Sequence, residues 1–202
     1  MTKNEKIVLT AVLGFIPPVF LFVLFWFAFY AMAPERSLFP IPFIGLAAGI
    51  AIDILFLKQW ISSCYQWKAW SLVLIFAFYH IGMFGFFMGV PLFNAFLGIL
   101  AGYYFGKRML RNNISEEKKK ETTSKVAYST SLFMCIICIL SAWIALSDPT
   151  TPSNLEGMFG LNYNLTHGIL VSGIIIGGIF LVVFTWWSTK FTIKYFTFIK
   201  HI

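Results

Sequence analysis

Four polar side chains lie inside or against long apolar runs, and they are the residues best placed to do chemistry: Asp53, His80, Asn94 and His167. His80 stands about eleven residues into its apolar segment, roughly 16 Å along a helix and so near a bilayer midplane. An imidazole there can bond across helices. It can also bind a ligand or relay a proton, because small environmental changes switch its charge near neutral pH. Asn94 follows the dipeptide Val90-Pro91 and is a plausible neighbour of His80, or else the cap of the next helix. Asp53 is the one acidic residue inside an apolar segment. Either it faces protein or a water-filled cavity, or, being five residues before Lys58, it pairs at the membrane interface. His167 opens the last apolar segment, at a different depth from His80, which argues against a shared haem. These four residues form the candidate substrate-binding set, lining a path for a small molecule.

Other chemistry is poorly supplied. Cys135 and Cys138 share a helix face at i, i+3 but have no second pair for redox relay and too few companions for zinc. They read as small apolar packing residues, and with Cys64 they are expected as free thiols. No catalytic motif, metal site or cofactor motif is present, so no catalytic residue and no cofactor are assigned.

The elements that must position these groups are membrane helices. The chain has 202 residues, of which 59% are hydrophobic and 11% charged, with a net charge of +7. Soluble proteins carry about 25% charged residues, and the mean hydropathy here is +0.81. Six segments approach the roughly 20 apolar residues a span needs: 7–33, 39–57, 69–90, 91–107, 126–147 and 166–189. The first is longer than a signal-peptide core and is expected to be retained.

Basic residues fix direction. Fourteen of the fifteen lie at the N-terminus (Lys3, Lys6), between segments two and three (Lys58, Lys68), between four and five (Lys107 to Lys125), and in the tail (Lys190, Lys194, Lys200); Arg36 alone falls opposite. The expected fold is an all-α integral membrane bundle of six transmembrane helices, one domain over 1–202, with both termini cytoplasmic and a short amphipathic tail at 190–202. The location implied is the cell membrane. Orientation already explains the basic charge, so nucleic acid is not implied as a partner.

Small residues should govern packing, because apolar side chains gain little by leaving lipid tails for one another. The segment Gly82–Arg108 carries Gly82, Gly85 and Gly89 before the turn and a doubled GxxxG, Gly98, Gly102 and Gly106, after it. It is the expected centre of the bundle. Gly45 and Gly49 mark a second close-packing face, and Gly168, Gly173, Gly177 and Gly178 a third. Pro17-Pro18 should break the first helix, as a hinge or as a tolerated kink. Trp60, Tyr65 and Trp67 read as an interfacial belt. The loop 148–165, which carries acidic but no basic residues, is long enough to act as a lid.

Size and six-segment count resemble the substrate-binding membrane subunits of energy-coupling-factor vitamin transporters, a likeness of architecture that no motif residue carries. Three functions follow as expectations. One is binding or transport of a small molecule through an outer-facing cavity. Another is a non-transporting subunit or assembly protein that docks a membrane partner, or a second copy, through glycine-rich faces. The third is an intramembrane enzyme acting on lipid with His80 as acid or base.

Overall fold

In a computed structural model of the chain, residues 1–32, 40–160 and 164–198 are described. Their regular structure is all helical: α1 Lys3–Gly14, α2 Ile16–Met32, α3 Pro40–Ser63, α4 Ala69–Phe86, α5 Leu97–Arg111, α6 Glu116–Ser147, α7 Thr151–Phe159 and α8 His167–Phe198. Short 3₁₀ turns occupy Cys64–Gln66 and Phe93–Phe96. Five helical stretches among the described residues are long and apolar enough to cross a membrane: Lys3–Met32, Pro40–Gln66, Ala69–Phe86, Glu116–Ser147 and His167–Thr197. Arg36, Asn162, Tyr163, Lys200 and His201 lie outside the described residues.

The chain forms two compact units, Met1–Ser71 and Leu72–Ile202. In the first unit α2 packs along α3. The helix breaks at Phe15, just before Pro17 and Pro18, which fall in the first turn of α2 where a missing N–H costs little. Gly49 explains how this break is packed. A Cβ there would fall 2.4 Å from the Pro18 Cα and 2.6 Å from the Pro17 carbonyl carbon. Gly45 receives the Leu21 carbonyl in the same way, at 2.4 Å. The expected small-residue face of α3 is therefore real, and its partner is the proline break itself.

Thr2 and Glu5 form a capping box at the start of α1, which satisfies orphan amide groups reciprocally. Glu5 is buried and accepts a 2.9 Å hydrogen bond from the Tyr65 hydroxyl. Tyr65 was expected at the interface. The 3₁₀ turn after α3 instead rolls it inward, onto Glu5.

In the second unit the doubled GxxxG is the packing seam. Cβ atoms at Gly98, Gly102 and Gly106 would meet Thr189 Oγ1 at 2.8 Å, the Thr189 carbonyl at 2.8 Å and Phe196 Cβ at 3.1 Å. The partner of α5 is thus the second half of α8. The residues expected to form a separate tail continue α8 without interruption to Phe198, because Thr192 and Ile193 are buried against α5. A hydroxyl ladder runs through this seam. Thr189 Oγ1 lies 3.0 Å from the Gly98 carbonyl, 2.8 Å from the Thr185 carbonyl and 3.1 Å from Thr130 Oγ1 on α6.

Three further expectations fail. Gly82, Gly85, Gly168, Gly173 and Gly177 have nothing within 4 Å of an added Cβ, and Gly178 meets only Cys138 at 3.8 Å. Glycine spacing alone does not say which faces are used. Lys118 to Lys125 were read as loop, but α6 begins at Glu116, with Lys119–Glu116 and Lys125–Glu121 ion pairs on its first turns. The turn at Val90-Pro91 is longer than expected: α4 stops at Phe86 and α5 starts only at Leu97.

Candidate functional site

His80 is the one buried residue of α4, 1% exposed, and Asn94 in the 3₁₀ turn before α5 is fully buried. Asn94 Nδ2 lies 2.8 Å from the His80 carbonyl oxygen and 3.1 Å from His80 Nδ1. The carbonyl can only accept, so the amide nitrogen must face it, and this fixes which way the Asn94 amide points. Its two N–H bonds go to the two His80 acceptors. In the neutral ring Nδ1 is then the acceptor and the proton sits on Nε2.

Aromatic rings hold the imidazole in place. Phe133 from α6 lies nearly parallel to it, with centroids 5.8 Å apart and planes 19° apart, and Phe76 meets it edge-on at 4.5 Å. Phe76 and Phe133 also contact each other at 5.3 Å. Ala95 packs with Met134 and Leu181 beside this group.

The inward side of the pair is not satisfied. His80 Nε2 and Asn94 Oδ1 are buried with no hydrogen-bond partner among the described residues, and so is Ser131 Oγ on α6, one turn before Met134. A donor and an acceptor left unmatched in an apolar setting are costly, about 1–3 kcal/mol each. Each is open to a complementary group: Nε2–H to an acceptor and Oδ1 to a donor.

The other expected residues are placed separately. Asp53 belongs to the first unit, half-buried on α3, with Oδ2 3.7 Å from a Cβ at Gly14 and Oδ1 unpartnered. It forms no ion pair with Lys58. His167 is exposed at the first residue of α8. It stands fourteen residues, about 21 Å along the helix, from Leu181, which packs with Ala95, the residue after Asn94. His80 and Asn94 are brought together; His167 is not brought to them.

Sequence reasoning missed Phe76, Phe133 and Ser131. Phe76 was legible in principle, four residues before His80 on the same helix face. Ser131 and Phe133 reach the site, or its neighbourhood, only through the packing of α6. Among the described residues no group of three or more His, Cys, Asp or Glu could hold a metal ion. The expected lid contains a nine-residue helix, α7, anchored by Asp148 at its start and by Glu156, which accepts from the Leu165 amide. No protein-family model, no curated protein and no solved structure matches the chain.

Proposed function

We propose that this is a multipass protein of the cell membrane, with six apolar segments and both termini on the basic, cytoplasmic side. It binds a small molecule at the His80–Asn94 pair, as carrier or receptor. The observation that carries this reading is the pair of complementary orphan groups, Nε2–H and Oδ1, on two residues bonded to each other. The pair is closed in this conformation, so entry requires movement of α4. That helix is suited to move, since His80 is its single buried residue. His167 is a further polar group of the same reading, as a contact on the way in.

The test is thermal stability of the purified protein against a panel of small alcohols, amides and carboxylic acids, with mass spectrometry of co-purifying molecules. A ligand at about 100 times its Kd should stabilise by about 2.7 kcal/mol. The effect should vanish in Asn94→Leu and in His80→Phe. Equal stabilisation of the variants, or none in the wild type, refutes the site.

A second reading is favoured by the open glycines of α8. Gly168, Gly173 and Gly177 present bare backbone with nothing against it, a surface another helix can approach closely. The protein would then be a subunit that docks a membrane partner or a second copy. Blue-native electrophoresis that shows only a monomer, unchanged in Gly173→Leu, speaks against it.

A further inference from the structure

The connection between α4 and α5 is apolar but for Asn94 and is largely exposed. Phe86 is 81% exposed and Met88 92%, and Val90, Leu92 and Phe93 are exposed beside them. From Ile81 to Gly106 the single side chain able to make strong hydrogen bonds, apart from two tyrosines, is Asn94, and it is committed inward to His80. A loop that emerged into water would expose five large apolar side chains with no polar residue among them.

Its depth can be read from its neighbours. Ser141 on α6 donates a 2.6 Å hydrogen bond to the Gly89 carbonyl at the tip. Ser141 is sixteen residues past Lys125, about 24 Å along the helix, and seven residues short of Asp148, about 10 Å. Past that level α6 still shows apolar surface, with Trp143, Ile144 and Leu146 all exposed. The return path gives the same figure. Lys107 back to Leu97 is about 15 Å of α-helix, and Phe93–Phe96 adds about 8 Å of 3₁₀ helix. Both measures fall short of the roughly 30 Å of a hydrocarbon core.

The tip's backbone suits a dry setting. The amides of Phe87, Met88, Gly89 and Val90 donate to Met83, Gly85, Phe84 and Phe87, and Pro91 has no amide hydrogen to satisfy. Unpaired backbone groups in hydrocarbon are costly, and these four amides are paired. Lys68 immediately precedes α4, and Lys107 and Arg108 lie in the last turns of α5, so both ends of the hairpin are marked for one membrane face.

We infer that α4 and α5 form a re-entrant hairpin, whose tip Phe86–Leu92 ends among the acyl chains of the far leaflet without reaching water. The chain then crosses the bilayer four times, through α1–α2, α3, α6 and α8, and both termini stay on the basic side. The partner of the exposed tip is lipid hydrocarbon. This inference does not depend on the ligand proposed at His80.

The experiment uses the full chain in liposomes, with Cys64, Cys135 and Cys138 replaced by alanine. Nitroxide labels are placed singly through Phe86→Cys, Val90→Cys and, as a water-exposed reference, Asn154→Cys. Collision with oxygen should exceed collision with a polar nickel chelate several-fold at positions 86 and 90, with the reverse at 154. Chelate collision at 86 and 90 matching that at 154 overturns the inference. Labelling of the unmodified cysteine variants by a membrane-impermeant maleimide, present on both sides, gives an independent reading. Both tip positions should react only after detergent is added, and reaction at the rate of position 154 in intact liposomes overturns it. Leu92→Cys replaces either tip variant that fails to accumulate.

Discussion

Asn94 Nδ2 bridges the ring and the backbone of the same histidine, 3.1 Å from His80 Nδ1 and 2.8 Å from the His80 carbonyl. One amide therefore orients the imidazole, selects its tautomer and ties α4 to the turn before α5. Replacing Asn94 with leucine leaves His80 Nδ1 buried and unpaired, while the His80 carbonyl keeps its bond within α4. The change should cost about 1–3 kcal/mol for that lost partner, read as a lower thermal midpoint in detergent and faster amide exchange in α4. His80→Leu combined with Asn94→Leu should cost less than the sum of the single changes, with a coupling of about 0.5–3 kcal/mol. Additive losses would mean the two residues do not act as a unit.

Glycine substitutions should separate the used faces from the open ones. Gly49→Ala drives a methyl to within 2.4 Å of Pro18 backbone, and Gly102→Ala to within 2.8 Å of the Thr189 carbonyl. Backbone cannot move aside as a flexible side chain can, so each change should destabilise by about 1–3 kcal/mol. Gly173→Ala and Gly177→Ala meet nothing within 4 Å. They should be neutral or slightly stabilising, since alanine is the better helix former. Chemical or thermal unfolding in detergent compares the four.

Thr189→Val tests the hydroxyl ladder. The substitution keeps the side-chain shape but removes the oxygen shared with Gly98, Thr185 and Thr130. Interhelical hydrogen bonds of this kind in membranes average about 0.6 kcal/mol and reach about 1.7. A loss in that range is expected from the unfolding midpoint of the variant.

Acid should loosen the segment between α6 and α8 at its start. Asp148 accepts from the Thr150 backbone amide at 2.9 Å and from the Thr150 hydroxyl at 2.7 Å. Those two bonds favour the carboxylate and hold its pKa below the ordinary value of 3.8. Because the folded value is the lower one, the stabilisation is fully present above the ordinary value and is lost as pH falls through the depressed one. Amide exchange at Thr150 should be constant from neutral pH down to the ordinary carboxylate range, after correction for intrinsic rates, and rise below it. Asp148→Asn should remove that pH dependence.

The membrane character, the apolar parts of the long helices and the use of Gly98, Gly102 and Gly106 were all legible from residue type and spacing. So was the break at Pro17-Pro18, because a proline's missing N–H is a local covalent fact. The neighbourhood of His80 and Asn94 was legible as well, since a short connection brings their segments side by side. What could not be read was which glycine faces find partners. Gly173 and Gly98 look alike in one dimension, yet one faces open space and the other a threonine. Tyr65 misled for a similar reason. An aromatic ring among lysines suits an interface, but a 3₁₀ turn placed its hydroxyl on Glu5, sixty residues away.

By itself the amino-acid sequence determined that this chain is helical and carries several stretches apolar and long enough to cross a membrane, because apolar length, proline and charge act locally and add up along the chain. Only the tertiary structure decided that α8 runs unbroken to Phe198 along α5, that Phe133 closes over His80, and that Ser141 meets the Gly89 carbonyl well below the end of α6. Those contacts depend on the rotation and axial offset of one helix against another. In a chain this rich in equivalent apolar residues, many rotations look alike in sequence, and a few close backbone approaches and buried polar pairs select among them.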